Sequence, residues 1–203
     1  SFTLGEIARN RLLILKQLEA DGVLDLNKEL PMAELVNRIA VISSPTAAGY
    51  EDFSNQLMNN SYGFSFYVKL FPAIMQGDRT ESSVIAALDR IYEYHDRFDA
   101  VVIIRGGGSS SDLSGFDSYE IASNCAQFPL PIISGIGHER AFTVIDEVAH
   151  TRVKTPTAAA EFLIGRIGAS AAQLAELQQS LISLSGAMVE REQKHIYDLS
   201  RTT

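Results

Sequence analysis

The chain has 203 residues, with 17 Lys and Arg against 25 Asp and Glu, for a formal net charge of −8. Its 46% hydrophobic and 21% charged residues are those of a globular domain able to bury a core. The acidic balance argues against a surface that binds long nucleic acid everywhere, though not against a local basic groove. The single cysteine, Cys125, excludes an internal disulfide and a cysteine-built zinc site, and its apolar neighbours point to a buried structural thiol.

Leu4 to Ala20 reads as a helix, with an apolar stripe over Leu4, Ile7, Ala8, Leu12, Leu15 and Leu18, Lys and Arg on the other face, and Gly22 as its stop. Residues 23–37 read as a connector with a short helical turn after Pro31. Arg38–Ser43 is the first expected strand. Ser44-Pro45-Thr46 turns out of it, and Pro45 and Thr46 suit the first turn of a helix reaching about Asn59. Phe64–Phe71 alternates as a second strand. A connector over 72–78 leads to a helix that Thr80 can cap. Ala100–Ile104 is a β-branched run and the third strand. A helix is expected over Tyr119–Gln127, with Asp112 and Asp117 as candidate caps. A fourth strand follows over Pro131–Ser134, then a short helix over 142–149.

From about Thr157 the pattern is one long helix. Leu174, Leu177, Leu181, Leu184 and Met188 form a seam that wants a partner helix. The alternation of strands and helices predicts an α/β fold: a doubly wound parallel sheet of four to five strands with flanking helices, followed by the long helix. The expected divisions are 1–37, an N-terminal helix and connector; 38–156, the α/β domain; and 157–203, the base of an arm. No apolar run approaches the ~18 residues of a membrane span and no secretory leader is evident, so a cytoplasmic protein without a membrane role is expected. The start at Ser1 and the end within a helical pattern suggest a piece of a longer protein.

Three strand ends carry unusual residues. Ser43-Ser44-Pro45-Thr46 follows the first, Arg105-Gly106-Gly107-Gly108-Ser109 the third, and Gly135-Ile136-Gly137-His138-Glu139 the fourth. In a doubly wound sheet, ligands bind beyond the carboxyl ends of the strands at the switch point. With strand order 2-1-3-4, the first and third ends flank that crevice and His138 arrives from the next strand. Arg105, the hydroxyls of Ser44 and Thr46, and the backbone N–H groups of Gly106, Gly107, Gly108 and Ser109 make an anion cradle, phosphate being the expected anion. The imidazole of His138 suits proton transfer near neutrality. Arg152 and Lys154 could add positive potential. Asp52, Glu139 and Asp146 could form a carboxylate set, though at no recognised ligand spacing.

Arg105-Gly-Gly-Gly-Ser-x-x-Asp112-Leu113, Gly137-His138-Glu139 and Thr155-Pro156-Thr157-Ala158-Ala159-Ala160-Glu161, with Ser44-Pro45-Thr46 upstream, resemble the exonuclease VII large subunit. The resemblance covers about residues 4 to 165. It implies the catalytic domain and the root of a coiled-coil arm, with the family's N-terminal OB-fold absent from this chain. It also implies an exodeoxyribonuclease that degrades single-stranded DNA from either end to 5′-phosphorylated oligonucleotides, in complex with several copies of a small helical subunit. The catalytic positions carried over are Asp52, Arg105 and His138. The family's aspartate three residues after the histidine is replaced by Ala141, which makes reduced activity an expectation. His150 stands where the family usually has aspartate, and Lys154 where it often has proline. No metal ligands are assigned; Mg2+ stays open. The other readings are an α/β domain binding a phosphorylated small molecule, and a catalytically silent DNA-binding scaffold.

Overall fold

The computed structural model describes residues 4–106, 113–137 and 143–201. Five parallel strands form one sheet in the order β2-β1-β3-β4-β5. They are β1 (Arg38–Ser43), β2 (Tyr67–Pro72), β3 (Ala100–Ile104), β4 (Ile132–Gly135) and β5 (Thr151–Arg152). The helices are α1 (Leu4–Ala20), α2 (Ala48–Met58), α3 (Thr80–Tyr92), α4 (Tyr119–Ala126), α5 (Val144–Val148) and α6 (Pro156–Arg201). This is the doubly wound α/β sheet that the alternation predicts, and the long C-terminal helix is present.

β3 is the centre, and the sequence explains why. Ala100-Val-Val-Ile-Ile104 is apolar without interruption, and all five residues are buried, as a strand covered on both faces requires. Val101 and Ile103 join α1, α3, α4 and α5 in one core. Val102 and Ile104 face α2 and α6 in the other. Burying each such side chain contributes about 1.5–3 kcal/mol. The chain therefore crosses on one face between β1 and β2 and on the opposite face thereafter, and the winding direction reverses between β1 and β3.

Several boundaries differ from expectation. β2 starts at Tyr67, not Phe64. Asn60 is the reason: its carbonyl oxygen accepts from Phe64 N–H at 2.9 Å and its amide donates to Phe64 O at 2.7 Å, so that backbone is spent on a local loop. α2 starts at Ala48 rather than at Pro45, because Ala47 N–H closes a turn onto Ser44 O at 3.1 Å. Asp117 does not cap α4; Ser118 does, accepting from Ile121 N–H. The packing line of α1 is Ile7, Arg11, Ile14 and Leu18, while Ala8 and Leu12 face outward. Arg11 was expected on the outer face and sits in that line, because it pairs with Asp117.

The connector before β1 is tied in by one side chain. Asn27 is fully buried. Its amide donates to Phe128 O (3.1 Å) and Leu130 O (2.9 Å), and its oxygen accepts from Ile132 N–H (2.9 Å) and His150 N–H (3.1 Å). All the hydrogen-bonding capacity of the amide is used, which a buried polar group requires. Arg166 of α6 donates to Ala33 O (2.8 Å) and Met32 O (2.6 Å), fixing the other end of the connector. Beyond its buried residues Ala159, Ala160, Leu163, Ile164 and Ile167, α6 projects from the domain. Its 46 residues span about 69 Å at the helical rise, and the expected seam at Leu174, Leu177, Leu181, Leu184 and Met188 is exposed.

Candidate active site

A crevice of about 720 Å³ lies beyond the carboxyl ends of β1, β2 and β3. Ser44, Pro45, Thr46, Ala47 and Ala48 form one wall, Pro72 to Gln76 with Ser83 form another, and Arg105 and Gly106 complete it. The structure thus joins the β1 and β3 ends at the switch point, as the strand order requires.

Each wall has a local cause. β1 delivers Ser44 at its end, and the Ser44–Ala47 turn brings Thr46 beside it. Their hydroxyl oxygens are 3.3 Å apart. The cap residue of α2 is Ala47, which has no side chain to cap with. An alanine cap costs about 1 kcal/mol against Ser, Thr or Asp. It leaves the positive end of an 11-residue helix open toward the crevice. Arg105 is the first residue after β3 and is 7% exposed.

Close backbone approach sets the floor. A Cβ on Gly49 would lie 2.8 Å from Pro156 Cγ, 2.9 Å from Arg105 O and 3.1 Å from Gly106 Cα. A Cβ on Gly106 would lie 3.1 Å from Ala47 Cβ. Glycine at both positions lets α2 and the start of α6 close onto the backbone that carries Arg105.

Of the residues singled out in the sequence, Ser44, Thr46, Arg105 and Gly106 line this crevice together. Asp52 does not line it; it is exposed in the second turn of α2. Arg152 lies on β5 at the far edge of the sheet, and Lys154 is exposed in the link to α6. Gly107, Gly108, Ser109, Asp112, His138, Glu139 and Ala141 lie outside the described residues.

Asp52 and Asp146 stand on opposite faces of the sheet, since α2 packs in one core and α5 in the other. Asp146 is engaged locally. It accepts from Ser134 Oγ at 2.6 Å and from Thr143 N–H at 2.7 Å, closing a capping box at α5. Among the described residues no group of three or more His, Cys, Asp or Glu side chains gathers to hold a metal ion. Burial pushes the Cys125 thiol up to about 12, so it is not a nucleophile at neutral pH. No helix among the described residues is long and apolar enough to cross a membrane.

In the sequence, Pro72–Gln76 has only the marks of a connector. Its apolar residues carry no chemical signal, and only the edge position of β2 next to β1 brings it to the crevice.

A family model described as exonuclease VII, large subunit, matches residues 23–203. The exodeoxyribonuclease 7 large subunit of Xylella fastidiosa (strain 9a5c) is 39% identical over 83% of this chain and 37% of its own length. The protein of the same name from Anaplasma marginale (strain Florida) is 32% identical over 87% of this chain and 45% of its own. That from Lacticaseibacillus casei (strain BL23) is 38% identical over 73% and 32%. The chain thus spans less than half the length of these relatives. With a matching model over most of the sequence and these identities, the chain belongs to the exonuclease VII large subunit family.

Proposed function

We propose that this chain is the catalytic part of an exodeoxyribonuclease that hydrolyses phosphodiester bonds of single-stranded DNA from either end, leaving 5′-phosphorylated oligonucleotides, and that it acts in the cytoplasm. The observation that carries the reading is the crevice in which Arg105, the Ser44 and Thr46 hydroxyls and the uncapped start of α2 line one space. These are donors for an anion, in a chain of a nuclease family.

Hydrolysis of a phosphodiester needs an activated water, stabilisation of charge on the transferred phosphoryl group, and protonation of the leaving oxygen. Arg105 and the backbone N–H groups from Gly106 onward to Gly107, Gly108 and Ser109 hold the phosphate oxygens in this proposal. His138 is the general base or acid. Asp52, carried over from the family resemblance although it stands outside the crevice lining, orients it or polarises water, and an aspartate at 141 would have raised the basicity of His138 or bound a metal. Arg152 and Lys154 supply positive potential along the DNA path. The exposed seam of α6 takes several copies of the helical small subunit.

The test is cleavage of end-labelled single-stranded DNA by the full large subunit in complex with the small subunit, with and without chelator. His138→Ala and Arg105→Ala are each expected to abolish hydrolysis. Normal turnover by His138→Ala would sink the assignment of that residue. Loss of activity on chelation would place a divalent cation in the reaction, and recovery on adding Mg2+ would identify Mg2+ as sufficient. Salt-dependent DNA binding without cleavage in the unaltered complex would instead indicate a silent scaffold.

A further inference from the structure

We propose that the wall of the crevice built by residues 72–76 is a nucleoside subsite, with Ile74 offering an apolar face to a base and Gln76 a paired donor and acceptor to its edge. The inference rests on the reading of the crevice as a single-stranded DNA site.

The segment is held from behind in a fixed shape. Ala73 N–H donates to Ser43 O at 3.0 Å and Ile74 N–H to Ser83 Oγ at 2.8 Å. Arg90 of α3 donates to Pro72 O at 2.8 Å. Gly77, at φ +79°, turns the chain into α3. Between these ties the side chains alternate. Ala73 and Met75 are buried in the core, and Ile74 and Gln76 are exposed. An isoleucine 41% exposed on an anchored backbone, lining a crevice, is a contact surface rather than a frayed loop.

The chemistry of the two sides is complementary to a nucleotide. The Ser44, Thr46 and Arg105 side is polar and cationic; the Pro72, Ile74 and Gln76 side is apolar with one amide. A bare phosphate would use only the first. A nucleotide brings an anion and a flat apolar face with polar edges, and uses both. The volume of about 720 Å³ falls among ordinary ligand sites. The apolar contact with Ile74 is open to any base, and the Gln76 amide, which both donates and accepts, is the group on this wall able to discriminate base edges.

The experiment compares Ile74→Ala and Gln76→Ala in the full complex on two substrates, a labelled oligothymidylate and the same oligomer made of abasic tetrahydrofuran residues. On oligothymidylate the KM of each variant is expected to rise about tenfold, the size of one lost base contact, with kcat changed less than twofold. The unaltered complex is expected to show a similarly raised KM on the abasic oligomer, and the variants to add little to it. Unchanged KM values in both variants, or equal further losses on the abasic oligomer, would overturn the subsite while leaving the nuclease reading intact. If the unaltered complex cleaves neither substrate, the nuclease reading itself fails, and this inference with it.

Discussion

Arg11 and Asp117, more than a hundred residues apart in sequence, meet in an ion pair whose Nε–Oδ2 distance is 2.8 Å. The other oxygen of Asp117 accepts from Val144 N–H at 2.9 Å. One carboxylate therefore joins α1, the segment that follows the glycine loop, and the start of α5, which follows His138. Asp117→Ala would leave Arg11 without this partner and Val144 N–H buried and unsatisfied. The expected cost is about 3–5 kcal/mol of stability, read from urea unfolding. Asp117→Asn keeps an acceptor for Val144 and is expected to cost clearly less.

Burial raises the Asp117 pKa above the ordinary carboxylate value, outweighing Arg11 and the Val144 N–H, which lower it. A carboxylate raised on folding adds stability that is full below its unfolded pKa and is lost as pH rises through the folded one. His150 acts in the opposite direction. Its pKa is lowered, first by burial and also by the charge of Arg166, against the raising effect of the Leu30 backbone hydrogen bond. Its contribution is present above about pH 6.5 and is lost as pH falls through the folded value. His150→Asn is expected to flatten the fall in melting temperature as pH drops below about 6.5; an unchanged slope would assign that fall to other groups.

Asn27→Ala removes the acceptor of two buried N–H groups and the donor of two carbonyls at once. With about 1–3 kcal/mol for each buried group left unsatisfied, a loss of at least about 3 kcal/mol is expected by urea unfolding. Asn27→Asp is expected to be no better, because its carboxylate would face the carbonyls of Phe128 and Leu130.

Gly49→Ala places a methyl group against Pro156 and the carbonyl of Arg105. Overpacking of this kind costs about 1–3 kcal/mol. The effect on kcat/KM for single-stranded DNA is expected to exceed the effect on melting temperature, since the displaced backbone carries Arg105. Gly165→Ala, at an exposed helical glycine with open space around it, is the control: it is expected to leave kcat/KM unchanged and to raise the melting temperature slightly, since alanine favours a helix over glycine by about 1 kcal/mol.

Ala141→Asp restores the carboxylate that the family pattern places three residues after the histidine. The expected result is a rise in the rate of single-stranded DNA hydrolysis, about 100–10,000-fold if the acid assists proton transfer. An unchanged rate would show the position to be dispensable in this chain.

The sheet was legible because β1 and β3 are short, β-branched apolar runs ended by polar or glycine residues, which fit a strand covered on both faces and are too short for a buried helix. β5 was not legible: two residues, Thr151 and Arg152, are too few to show periodicity. Arg11 was misread because sequence places a charge on the wet face of a helix by default, and its buried partner lies far along the chain. The side of the crevice at the end of β3 was legible through Arg105 and Gly106. Its second wall was not, since Ile74 and Gln76 acquire meaning only from the position of β2 beside β1 and from Ser83 behind them.

The contact between Gly49 and Pro156 ties the long helix to the floor of the crevice. Pro156 is its first residue, and from there the rod runs on for dozens of ångströms with only its root seated on the domain. Gly49 faces Pro156 on one side and the carbonyl of Arg105 on another, so the seat of the arm and the seat of Arg105 are two sides of one glycine.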